Sequence, residues 1–281
     1  MGSPAELRPS PIAGTWYSAN PGRLQDQIDS YLHSAEIPRL EGEVMAVIAP
    51  HAGHRYSGRT AGYAFATIMG QPRDLVVILS PMHAMYPANL LISAHKAYST
   101  PLGPVWIDQE VAQHLEKALN QDGLSLTPIA NDQEHSLEIE LPFLQRALPA
   151  GFKLLPIMVR SMSPLVAHRL GHALAVTLQG KNSLLVASTD LSHFYPEALA
   201  QELDSEMLRR IRSFAPDDLF AAERTGKGFA CGVAAVAAVL WATREMGANS
   251  IEILHHSTSA DETGDRDSVV GYGAAAVLKH A

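Results

Sequence analysis

Leu184-Leu185-Val186-Ala187-Ser188-Thr189-Asp190-Leu191-Ser192-His193 decides how this chain is read. An apolar run stops, and a carboxylate and an imidazole follow at once. The pattern occurs twice more: Val44-Met45-Ala46-Val47-Ile48-Ala49 runs into Pro50-His51, and Leu75-Val76-Val77-Ile78-Leu79 into Ser80-Pro81-Met82-His83. Short runs that are apolar at every position read as strands buried on both faces, the kind found in parallel sheets. Ligands of open α/β sheets collect at the carboxyl ends of the strands. Three imidazoles and a carboxylate, far apart in sequence, are therefore expected on one rim.

Working outward, strands alternate with helical patterns. Asn20-Pro21 reads as a helix start, with Leu24, Ile28, Tyr31 and Leu32 on one face. Ser57 is placed to cap a helix through Met69, and Leu90 to Ala94 reads as a short strand. Ser99 to Pro104 reads as a turn, and Ile107 to Leu119 carries helical spacing. A helix from Ser136 to Leu144 tolerates Pro142 in its first turns. A strand over Lys153 to Val159 and a helix over Pro164 to Leu178 follow, then two helices between Pro196 and Glu223. A long Ala/Val-rich helix opens near Cys231 and runs to Met246, and strands near Ile251–Leu254 and Ser268–Val277 close the chain. The expectation is one α/β domain over residues 1–281, with a central, mostly parallel sheet flanked by helices.

The chain has 281 residues, a formal charge of -8 and 18% charged residues, against roughly a quarter in average domains. A low charged fraction implies a large core; a homo-oligomer is the weaker explanation. No basic face meets the needs of a nucleic-acid binder. The longest apolar stretches fall short of the roughly 20 residues that span a bilayer, and no signal peptide is visible. Cytoplasmic location is the default, with no membrane partner expected. The single cysteine, Cys231, forms no intramolecular disulfide.

Each candidate has an ordinary reading beside the chemical one. His51 and His83 each follow a proline that stops a strand, and either could cap a strand end or bind a metal. Asp190 and His193, three residues apart, would share a face if helical. They suit an Asp orienting a general acid/base His, metal ligation with its outer partner, or a plain helix cap. Cys231 is a core residue, an inert thiol, or a thiolate favoured by the helix it opens. His135, between Glu134 and Ser136, belongs to a capping segment or a cleft wall. His255 and His256 lie at a strand end and read as structural. The acidic run from Asp261 to Asp267 reads as a solvated loop that could instead flank the cleft or coordinate a hard cation, although its spacing fails the EF-hand pattern.

These segments resemble the MEMO family, whose bacterial members are also called AmmeMemoRadiSam system protein B. The resemblance runs through Ala13-Gly14-Thr15-Trp16-Tyr17, Ala49-Pro50-His51-Ala52-Gly53, Ser80-Pro81-Met82-His83 and Glu134-His135-Ser136-Leu137-Glu138. It continues through Ser188 to His193, Cys231-Gly232 and Ser268-Val269-Val270-Gly271-Tyr272. It implies a fold similar to the class III (LigB-like) extradiol dioxygenases, which hold non-haem Fe(II) with two His and one Glu. By resemblance His51 and His83 match the histidine ligands and Cys231 takes the third place. Asp190, His193 and His135 match polar pocket residues, with catalytic roles. Fe(II) is the implied cofactor, with copper or zinc as alternatives, because thiolate is softer than carboxylate. His54 stands where many relatives carry Tyr, and it could supply a proton-transfer group or a fourth ligand, or point away.

The leading expectation is a non-haem iron-dependent oxidoreductase acting on a small-molecule substrate. A second is a non-catalytic metal-binding or interaction module, and a third is zinc hydrolysis. The resemblance adds AMMECR1-like and radical-SAM proteins as partners.

Overall fold

The computed structural model describes residues 6–280; the rest of the 1–281 span lies outside the described residues. In chain order its elements are β1 (Leu7–Arg8), α1 (Pro21–Ser34), β2 (Glu43–Ala49), α2 (His54–Ala66), β3 (Leu75–Pro81), β4 (Leu90–Ser93), β5 (Ala97–Thr100), β6 (Gly103–Trp106), α3 (Gln109–Gln121) and β7 (Leu126–Ile129). A 3-10 turn over Glu138–Glu140 leads into α4 (Leu141–Ala147), β8 (Lys153–Val159), α5 (Pro164–Thr177), β9 (Ser183–Ser188) and β10 (His193–Tyr195). The chain closes with α6 (Glu197–Arg212), α7 (Pro216–Arg224), α8 (Val233–Glu245), β11 (Ser250–Thr258), α9 (Ala260–Thr263) and β12 (Val269–Lys279).

A nine-stranded mixed sheet organises the molecule, in the order β10-β12-β2-β9-β3-β8-β4-β7, with β11 on β12. Its centre, β2-β9-β3-β8, is parallel, as expected from the apolar runs. Antiparallel pairings through β12 and β4 extend it on either side. Side chains alternate across a strand, and here both faces are covered. Val76, Ile78, Leu184 and Val186 pack with α1, α2 and α4. Val77, Leu79, Leu185 and Ala187 pack with α3, α5, α7 and α8. An apolar residue is needed at every position, which is why the runs show no alternation.

Local chemistry sets the element ends. Asn20 Oδ1 caps α1 by accepting the Arg23 N–H, and Asp108 caps α3 through the Val111 N–H. α2 starts three residues before Ser57, at His54, whose N–H donates to the Trp16 carbonyl. The helix expected from Ser136 divides into the 3-10 turn and α4, with Pro142 in the first turn of α4 where its missing N–H costs nothing. The turn at Ser99 to Pro104 is the tip of a β5–β6 hairpin, and Gly103 takes φ +113° there. No helix among the described residues is long and apolar enough to cross a membrane.

One polar cluster ties the N-terminal segment to the loop before α4. Arg8, 1% exposed, gives a bidentate contact to Asp132 (2.7 and 3.0 Å) and one to Glu138 (2.6 Å). Its Nη2 also donates to the Glu134 carbonyl at 2.7 Å, and its guanidinium lies over Tyr98. Ser10 and Tyr17 donate to the other Glu138 oxygen. Removing one partner of such a cluster strands buried charge. Arg8→Met should therefore lose about 3–5 kcal/mol in urea unfolding. A loss below ~1 kcal/mol would show that the cluster carries no such constraint.

Candidate metal centre

β2 and β3 flank β9, and their register puts Ala49 beside Ser188 and Leu79 beside Ala187. The strands therefore end at one height. Pro50 directly follows β2 and Pro81 is the last residue of β3, and His51 and His83 stand over the rim with ring centroids 5.4 Å apart. Cys231 arrives from elsewhere, one residue before Gly232, the N-cap of α8. A Cβ on Gly232 would lie 2.4 Å from the Ser188 carbonyl oxygen, so only glycine lets α8 approach β9 this closely. Gly232 N–H donates to Thr189 Oγ1 at 2.9 Å, and Cys231 N–H to the Asp190 carbonyl at 3.2 Å.

Candidate ligand atoms of His51, His83 and Cys231 all lie within 4.8 Å of one another. His51 Nε2 is 3.1 Å from Cys231 Sγ. Metal–nitrogen bonds of about 2.0–2.1 Å and metal–sulfur bonds of about 2.3 Å place such donors some 3–4 Å apart. The spacing fits a metal ion. Outer contacts fit as well. His51 Nδ1 meets Ser188 Oγ at 2.9 Å and His83 Nδ1 meets Glu134 Oε1 at 2.9 Å, so both rings keep Nε2 for the centre.

A second group, His83, Glu134 and His135, is also compact. Its carboxylate is already committed. Glu134 Oε2 accepts the His83 N–H at 2.7 Å, and Oε1 accepts the N–H groups of His135 and Ser136, each at 3.0 Å. That set fits a metal poorly, and Glu134 is an orienting residue. Burial works to raise its pKa, but the bond to His83, that ring's charge and the backbone donors outweigh it and hold it well below the carboxylate range.

Burial dominates the electrostatics elsewhere. His51 is pushed well below the usual histidine value by burial and by the neighbouring His135 and His83. Burial lowers His135 to about 4 and lowers His193. His83 alone among the rim histidines is raised, chiefly by its hydrogen bond to Glu134. Burial lifts Asp190 to about 7, although the His51 and Ala52 N–H groups oppose it. Glu140, beneath the rim, is raised far above the carboxylate range by burial. Ser188 Oγ meets the Ser136 carbonyl and Glu140 Oε1, each at 2.7 Å, as well as His51 Nδ1. One hydroxyl hydrogen serves all three contacts when it goes to the carbonyl, which only accepts, while neutral Glu140 and the His51 Nδ1–H both donate to the hydroxyl oxygen.

Three expectations change. Asp190 and His193 share no helical turn: residues 189–192 form a loop, and His193 opens β10. Asp190 does not set the His193 tautomer. The Leu191 carbonyl does, at 2.8 Å from Nδ1, leaving Nε2 as the acceptor. Asp190 Oδ1 instead accepts the His51 N–H at 2.8 Å. Cys231 does stand where α8 begins, yet its pKa goes up, because burial and then the Asp190 charge outweigh the helix end. His54 points away: its Nε2 meets the Ile139 carbonyl at 3.0 Å and its ring packs against Phe143 and Tyr17. His255 and His256 are held by Thr60 and Asp204, consistent with structural roles.

A cavity of about 550 Å³ opens over the rim. His51, His83, His135, Asp190 and His193 line it, under a mouth of Trp16, Tyr56 and Phe194. Phe194 is 74% exposed with φ +64°, an uncommon backbone for a bulky residue. Thr263, within the acidic run, and Ser268, directly after it, form part of the wall.

Residues 8–276 match the Memo-like protein family. The chain belongs to the MEMO family. A MEMO1 family protein of Nitrosopumilus maritimus is 33% identical over 273 residues, covering 95% of this chain and 98% of that one. One from Methanosarcina mazei is 32% identical over 272 residues, covering 96% and 98%. A crystal structure of an uncharacterized protein from Escherichia coli K12 aligns over 83% of this chain and 99% of its own, at 13% identity and a TM-score of 0.49, too low to bear on the fold.

Glu134, Ser188 and Glu140 were not among the sequence candidates. Ser188 gave one signal, a polar residue ending an otherwise apolar strand. Glu140 gave none, since a carboxylate in a helical segment reads as surface.

His54 generates a stability prediction. Its folded pKa is lowered by burial from 6.5 to about 4. The unfolded chain therefore takes up a proton before the folded one does, and stability present above pH 6.5 is lost as pH falls toward 4. At 1.36 kcal/mol per pKa unit the loss is on the order of 3 kcal/mol. His54→Gln should remove nearly one proton from the uptake on unfolding in that window, measured by urea unfolding against pH. An unchanged acid limb would contradict the assignment.

Proposed function

We propose that His51, His83 and Cys231 bind one redox-active metal ion, iron(II) foremost, and that the protein is a non-haem oxidoreductase acting on a small molecule in the cavity above. The observation that carries this reading is the convergence of two imidazoles and the chain's one thiol, each imidazole steadied from behind through Nδ1. An iron(II) ion held there would supply a redox-active Lewis acid with open coordination positions.

The chain's own residues account for the remaining work. Ser188 and Glu134 keep both Nε2 lone pairs aimed at the centre. His193 presents an unprotonated Nε2 to the cavity as a proton acceptor. Asp190, with a pKa near 7, can take or release a proton near neutrality, and its Oδ2 lies 3.9 Å from His51 Nε2. His135 stacks on His83 (4.9 Å between centroids) and lies tilted against Trp16 (4.1 Å), and all three line the cavity. Cys231 Sγ lies 3.1 Å from His51 Nε2. A metal ion held between them would need the sulfur as thiolate, so its binding would release a proton.

A second reading, a non-catalytic metal-binding or interaction module, draws support from the mouth. Trp16, Tyr56 and Phe194 are each more than a third exposed, and aromatic residues are enriched where proteins meet. AMMECR1-like and radical-SAM proteins are candidate partners under either reading, and a single free thiol suits the reducing cytoplasm.

Anaerobic titration with Fe(II) should give near-stoichiometric binding with proton release, tightening as pH rises. His51→Ala and Cys231→Ala should each weaken it by at least the roughly 10–100-fold that loss of an outer partner costs. Affinity unchanged in both variants would eliminate the metal reading. O2 consumption that depends on added substrate and is lost in His193→Ala would separate catalysis from the interaction reading.

A further inference from the structure

Cys231 does not line the cavity that holds the rim histidines. It lines a separate one of about 290 Å³, which contains neither His51 nor His83. The loop 190–193 is the partition: Asp190 faces the front cavity, Leu191 the rear one, and His193 borders both. The site thus has two openings, one on its imidazole side and one on its sulfur side. Cys231 is only partly shielded.

The rear cavity has a definite chemistry. Met162, Leu191, Phe229 and Tyr195 give it apolar walls, with the Tyr195 and Phe229 rings stacked 5.9 Å apart. Its one carboxyl, Glu223, accepts the Ala230 N–H at 3.2 Å. Among the described residues no lysine or arginine lines it to compensate an anion. Its volume is that of roughly ten waters at ~30 Å³ each, enough for a molecule of a few heavy atoms.

We propose that this rear cavity is a second binding site and entrance, which admits small uncharged molecules to the sulfur of Cys231 while the front cavity is occupied. It stands on the two cavities alone and does not depend on a metal ion. In any two-reactant process at this centre, the larger reactant enters from the front and a small neutral one from behind.

The single cysteine makes the test specific. The metal-free full-length protein is treated with iodoacetamide or iodoacetate and followed by intact mass. In either reaction the sulfur forms a C–S bond, iodide leaves with the electron pair, and the thiol proton passes to solvent. Neutral iodoacetamide should be favoured over anionic iodoacetate about tenfold more than with free glutathione. Met162 is half exposed and belongs to no core cluster, so it is the wall residue to vary. Met162→Trp should slow iodoacetamide about tenfold and Met162→Ala should speed it, whereas Ser268→Trp in the front wall should leave the rate unchanged. The proposal is overturned if Met162 variants have no effect, if Ser268→Trp is the variant that slows the reaction, if the two reagents show the glutathione ratio, or if only the unfolded chain reacts.

Discussion

The rim depends on the buried carboxylate of Glu134. One oxygen receives the His83 backbone, and the other gathers the His83 ring with the N–H groups of His135 and Ser136. The end of β3 is thereby sewn to the loop before α4, although 51 positions separate them. The carboxylate stays ionised because its donors are fixed backbone groups and a ring that gains charge by meeting it. Arg8 secures the same loop from the opposite side, through Asp132 and the Glu134 carbonyl. With loop and strand end locked, the His83 ring has one orientation left.

Glu134 holds its charge; Asp190, Glu140 and Cys231 do not hold theirs so readily. Glu134, Asp190 and Glu140 are buried and Cys231 is partly so, and they differ in the donors they meet. Glu140 has one oxygen on Ser188 and none on the other. Cys231 receives a single backbone N–H, from Asp190 at 3.2 Å, beside a carboxyl that opposes a second negative charge. A centre built this way favours neutral groups until a cation arrives, and the cation then changes the balance of every neighbour. Low basal charge follows from that desolvation.

Much of the architecture was legible from the chain. Uninterrupted apolar runs revealed the parallel centre, because burial on both faces demands an apolar residue at every step. A histidine soon after each run, preceded by proline in two of the three, pointed to the rim. The convergence of Cys231 was not readable from spacing: it depends on Gly232 packing against the Ser188 carbonyl, a contact 44 residues apart that no local pattern encodes. The relation of Asp190 to His193 was misjudged for a related reason. Three-residue spacing implies a shared face only on a helix, and the pull of β12 on His193, paired with Val270, keeps the segment extended. Helix-end electrostatics at Cys231 pointed one way and burial the other; depth of burial belongs to the tertiary structure, not to the tripeptide around the cysteine.

One claim is central, that His51, His83 and the single cysteine sulfur share an ion. X-ray absorption at the iron edge of the anaerobically loaded protein measures this directly. The account predicts one sulfur neighbour at ~2.3 Å and two imidazole nitrogens at ~2.0–2.1 Å, with the sulfur contribution absent in Cys231→Ser. A shell of nitrogen and oxygen alone, identical in both proteins, would contradict it.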